Sequence, residues 1–108
     1  MSFKVIYTVA FEKEFRKLSR KYPSLISEFR LFVTSLAEKP VQGVPLGNDC
    51  FKIRFPITSK GKGKRGGARI ITFVKIVKEL VFLVTIYDKS EKATISNKEI
   101  KDRLKPYL

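Results

Sequence analysis

The sequence predicts an α+β domain in two layers, ordered β-α-α-β-β-β-α, with a helix hairpin packed on one face of a mostly antiparallel twisted sheet. Three observations carry that prediction. Two apolar stripes at helical spacing follow one another between residues 11 and 36. Residues 50–58, CFKIRFPIT, alternate strictly between apolar and polar. Two β-branched and aromatic runs, ARIITFVKIV at 68–77 and LVFLVTIY at 80–87, complete the set.

The elements follow in order. FKVIY, residues 3–7, reads as a first strand, and Thr8 is placed to cap the helix after it. Phe11, Phe15, Leu18 and Tyr22 form that helix's apolar stripe, and Pro23 ends it. Ser24 is placed to cap a second helix with the stripe Leu25, Phe29, Phe32 and Leu36, ended by Pro40. Residues 40–49, PVQGVPLGND, read as a turn-rich connection. In the strand at 50–58, Phe51, Ile53, Phe55 and Ile57 share one face, and Lys52 and Arg54 lie on the other. Pro56 lacks an N–H, so that strand is an edge or ends there. The next two strands turn around Lys78 and Glu79, and the second, nearly all apolar, reads as central. ISNKEI at 95–100 is a helix start, with a Ser96/Glu99 capping box and an Ile95/Ile100 staple, running to about Leu104. A length of 108 residues without repeats or linkers makes residues 1–108 one domain.

Charge narrows the function. Lys and Arg number 23 against 10 Asp and Glu, a net of +13, which attracts polyanions. Between Asp49 and Glu79 there are nine basic residues and no acidic one, whereas a need for solubility alone would intersperse the signs. SKGKGKRGGAR, residues 59–69, concentrates the effect in one glycine-rich loop. Its Lys60, Lys62, Lys64 and Arg65 suit a nucleic-acid backbone, and its glycines let main chain approach a bulky ligand. Its spacing is not that of a P-loop, and a strand rather than a helix follows it. No His and a single Cys, Cys50, argue against zinc and an internal disulfide. The few carboxylates argue against magnesium, so no metal or cofactor is expected. With no apolar run of signal or membrane-spanning length, the expectation is a cytoplasmic protein without a membrane partner.

FKIR, KGKGKRGGAR, ITFVK, IYDKSEK and ISNKEI, in this order of elements, resemble the RelE/ParE superfamily of type II toxin–antitoxin toxins, in particular its HigB-like branch. The resemblance covers essentially the whole chain. It implies a RelE-like microbial RNase fold and a metal-independent endonuclease that cuts mRNA on the ribosome and arrests translation. It also implies a cognate antitoxin, acidic or DNA-binding. Matched by position, the family's site residues are Lys52, Arg54, Arg69 and Tyr87, with Lys89 and Lys92 just beyond. The chemistry such a site needs is a base for the ribose 2′-OH, cations for the charge developing on phosphorus, and an acid for the 5′-oxygen. Without an imidazole, Lys52 is the candidate base and Arg54 and Arg69 the phosphate clamp. Tyr87 either stacks on a base, orients the 2′-OH, or is a half-buried aromatic at a strand end. Two other readings stay open: a ParE-like poison of gyrase, and a basic RNA-binding module without catalysis.

Overall fold

In a computed structural model, which describes residues 2–58, 67–91 and 94–108, β1 (Lys4–Tyr7) leads into α1 (Val9–Lys21) through Thr8. The Thr8 hydroxyl accepts from the Phe11 N–H at 3.2 Å, capping the helix as its sequence position predicts. After Pro23 comes α2 (Leu25–Glu38). Here Ser24 Oγ donates to Glu28 Oε1 and makes no side-chain bond to the helix backbone. Both predicted stripes point into one core: Phe11, Leu18, Leu25, Phe29 and Leu36 are buried, with Phe15, Tyr22 and Phe32 packed around them.

The remaining strands are β2 (Val44–Gly47), β3 (Cys50–Phe55), β4 (Ala68–Lys75) and β5 (Leu80–Asp88). They pair in the order β1-β5-β4-β3-β2, antiparallel throughout except for the parallel β1–β5 pair. The α+β class and the hairpin-on-sheet packing are therefore as expected, and β5 is interior with β1 and β4 on its flanks.

Two features go beyond the expectation. The connection at 40–49 contains β2, which makes a hairpin with β3. Asn48 and Asp49 have φ of 52° and 62°, the pair of left-handed residues that a tight two-residue hairpin turn requires. β2 is exposed along its length and carries Pro45, so it shows no alternation; an edge position tolerates the missing N–H. The second is the placement of the expected C-terminal helix, α3 (Asn97–Leu104), which Ser96 caps as predicted by accepting from the Glu99 N–H at 3.1 Å. With the 3₁₀ turn at Lys105–Tyr107 it covers part of the sheet face opposite the hairpin. Ile95, Ile100 and Leu104 there bury Cys50, Ile71, Phe82, Val84 and Tyr87.

Candidate nucleic-acid site

Cys50, Lys52 and Arg54 share one side of β3, and Ile53 and Phe55 the other, where they join the hairpin core. Cross-strand register then decides what the basic side chains meet. Arg54 pairs with Arg69 of β4, and Arg69 pairs with Tyr87 of β5. Arg54, Arg69 and Tyr87 therefore lie in one row across three adjacent strands. Lys52 lies two residues along from Arg54 on the same side, opposite Ile71.

Two guanidinium-bearing residues directly opposite one another on neighbouring strands are an electrostatic cost, of the order of 0.2–1 kcal/mol for such cross-strand pairs. An anion between them reverses the sign, because bidentate guanidinium–phosphate contacts are among the stronger charge-assisted bonds. The two arginines differ in setting. Arg54 is exposed on β3, whereas Arg69 is 4% exposed and its Nη1 donates to the Ala68 carbonyl at 3.1 Å. Tyr87 is 6% exposed and packs within the cluster under α3.

Lys89 is exposed just past β5, on a turn built by Asp88. The Asp88 carboxylate accepts from the Ser90 N–H at 3.0 Å, the Ser90 hydroxyl at 2.8 Å and the Tyr22 hydroxyl at 3.2 Å. The Lys89 N–H donates to Gly67 O at 3.3 Å, so this turn is tied to the base of the glycine-rich loop. Sequence reasoning does not single out Asp88, although Asp-x-Ser is a recognisable signal for a side-chain turn onto the backbone two residues on. Gly67 has a packing role: a Cβ there would stand 2.4 Å from the Phe55 carbonyl oxygen. Lys60, Lys62, Lys64, Arg65 and Lys92 lie outside the described residues.

Cys50 is buried beneath α3, and burial first, then the neighbouring Asp49 charge, pushes its thiol up, so it is protonated at neutral pH. A cleft of about 290 Å³ between α1 and the end of β5 reaches Tyr87. Its walls mix Glu14, Asp88 and Glu91 with Lys17 and Lys21, a balance of signs unsuited to cradling a polyanion. No helix among the described residues is long and apolar enough to cross a membrane.

The family model described as the RelE toxin of the RelE/RelB toxin–antitoxin system matches residues 4–105. Among solved structures the chain is similar to a mutant of E. coli toxin RelE in the free state. The identity is 18% and the TM-score 0.62, with 100% of both chains covered. It is also similar to the intact E. coli RelBE toxin–antitoxin complex, at 20% identity and TM-score 0.61 over 81% of this chain and 96% of that one. The RelBE2 toxin–antitoxin complex from Mycobacterium tuberculosis matches at 17% identity and TM-score 0.57, covering 82% of this chain and 92% of that one. At such identities the solved structures speak for the fold.

Proposed function

The chain belongs to the RelE family of toxins, the toxin half of a toxin–antitoxin pair, and on that premise we propose that it is an endoribonuclease cutting mRNA on the ribosome without a metal. The observation that carries this reading is the cross-strand row Arg54–Arg69–Tyr87 with Lys52 beside it, its three basic residues drawn from a segment, 50–78, that holds no carboxylate. A row of cations with a phenol at one end matches what phosphodiester transesterification needs.

The ribose 2′-OH loses its proton to Lys52 and attacks the adjacent phosphorus. The P–O5′ bond breaks, leaving a 2′,3′-cyclic phosphate, and the departing 5′-oxygen takes up a proton from water. Arg54 and Arg69 stabilise the charge growing on the non-bridging oxygens. Tyr87 orients the 2′-OH through its hydroxyl, and Lys89 neutralises the next phosphate along the strand. The loop cations Lys60, Lys62, Lys64 and Arg65, with Lys92, bind backbone and steer the encounter. The ribosome supplies substrate geometry, which lessens what a lysine base must achieve. Antitoxin-bound relatives such as E. coli RelBE support a protein partner that holds the toxin inactive.

The test is cleavage of message on programmed ribosomes in excess EDTA, with the product ends mapped. Products ending in 2′,3′-cyclic phosphate and 5′-OH are expected. Loss of cleavage on chelation with rescue by magnesium would overturn the metal-free mechanism, and intact message in both conditions would overturn the ribonuclease reading.

A further inference from the structure

Tyr87 faces the same side of the sheet as Arg69 only because β5 contains an extra residue. Along the first half of β5, Val81 and Leu83 face the helix hairpin, and Leu80, Phe82 and Val84 face α3. Simple alternation would continue with residue 87 toward the hairpin and residue 86 toward α3. The opposite is found: Ile86 belongs to the hairpin core and Tyr87 to the α3 side. The ladder shows where the phase changes. Thr72 pairs with Leu83 and Ile71 with Thr85, so Val84 and Thr85 together oppose one residue of β4. This is a β-bulge, and a one-residue offset moves every later side chain to the other face.

A bulge leaves backbone groups without ladder partners, and here the flanking strand has already ended, since β1 pairs with β5 only as far as Leu83. Two charged side chains fill the gap, beside the Thr8 hydroxyl, which lies 3.4 Å from the Val84 carbonyl. Arg103 of α3 donates from Nη1 to the Val84 carbonyl at 3.2 Å. Glu14 of α1 accepts from the Ile86 N–H at 3.3 Å and from the Thr85 hydroxyl at 2.8 Å. The two are joined fork to fork, Nη1–Oε1 at 2.9 Å and Nη2–Oε2 at 3.0 Å, with Arg103 also 3.5 Å from Glu99. Both are largely shielded, with side chains 17% and 25% exposed. The pair spans the sheet edge from a helix on one face to a helix on the other.

We infer that Glu14 and Arg103 are positioning residues for the catalytic row: by satisfying the bulge at Val84–Thr85 they hold the strand in the phase that turns Tyr87 toward Arg69. The role of Tyr87 in cleavage rests on the function proposed above; the hold on the bulge does not. The experiment compares wild type with Glu14→Ala and Arg103→Leu by NMR. Cross-strand NOEs between Arg69 and Tyr87 should weaken, and NOEs between Arg69 and Ile86 appear, while the Phe73–Phe82 pair upstream of the bulge is unchanged. Should either variant fail to fold, Glu14→Gln carries the same readout, since it keeps the volume and removes the charge that grips Arg103. On programmed ribosomes each variant should lose as much single-turnover rate as Tyr87→Phe, about 10²-fold, and adding Tyr87→Phe should cost nothing further. Wild-type Arg69–Tyr87 NOEs in a folded Glu14→Ala or Glu14→Gln protein would overturn the inference. So would unimpaired cleavage in a variant whose Arg69–Tyr87 NOEs have vanished, or rate losses that simply add. A wild-type chain that leaves message uncut refutes the ribonuclease reading, and the NOE comparison then decides the hold on the bulge by itself.

Discussion

Thr72 sits mid-way along β4 at 0% exposure, and its hydroxyl is buried with no hydrogen-bond partner among the described residues. Leaving such a group unpaired in the core typically costs about 1–3 kcal/mol. Thr72→Val, which keeps the shape and removes the hydroxyl, is expected to stabilise the fold by about 1 kcal/mol, read as a higher urea midpoint at unchanged slope; a lower midpoint would refute it. Gly67 illustrates the opposite constraint. A methyl group there meets the Phe55 carbonyl oxygen at 2.4 Å and Pro56 Cα at 2.9 Å, backbone on backbone at the root of the loop. Gly67→Ala should therefore cost about 1–3 kcal/mol through strain and shifted backbone, measurable by thermal denaturation. A wild-type melting temperature would show that the β3–β4 ends part freely. The glycine-rich character of 59–69 thus has at least one cause in packing rather than in ligand approach.

At the scale of elements, the proposed mechanism has the stretch between β3 and β4 bind RNA and the strands cut it. Neutralising Lys60, Lys62, Lys64 and Arg65 together should weaken ribosome or RNA binding. It should also flatten the salt dependence by roughly one unit of slope for each phosphate that the loop no longer neutralises. Single-turnover cleavage at saturating ribosomes should change far less, because backbone contacts position a substrate without taking part in bond making. An unchanged salt slope would make this loop a solvated hairpin tip. The helices were legible because each repeats an apolar residue every three or four positions over three turns, as Phe11, Phe15, Leu18 and Tyr22 do. β2 was not legible, because four exposed residues with a proline carry no periodicity. Its one local signal was the Asn48-Asp49 pair, which alone marks a turn without saying that strands flank it.

For the molecule as a whole, a net charge of +13 and the row of cations on β3 and β4 make the α3 side of the sheet the surface an antitoxin gains most by masking. The expected partner segment is acidic and lies against Lys52, Arg54 or Arg69, neutralising the field that recruits RNA. The complex should bind RNA much more weakly than the free toxin, and Arg54→Glu should impair both cleavage and partner binding. Hydrogen exchange on the pair decides the matter. Protection across 52–55 and 68–69 is expected, whereas protection confined to 11–39 would mean that the partner grips the helix hairpin and leaves the basic residues bare.

The sequence by itself determined the two helices and their buried stripes, the faces of β3, and a stretch at 50–78 with nine basic residues and no acidic one. These are properties of periodicity and composition, which depend only on residues a few positions apart. Tertiary structure alone decided that Arg54, Arg69 and Tyr87 form one row, because cross-strand register is set by which backbone groups find partners on a neighbouring strand. It also decided which way Tyr87 faces. LVFLVTIY is apolar at nearly every position, so nothing in its pattern marks a change of phase. The bulge that makes that change is held by Glu14 and Arg103, 89 positions apart in the chain and joined only once both helices have packed.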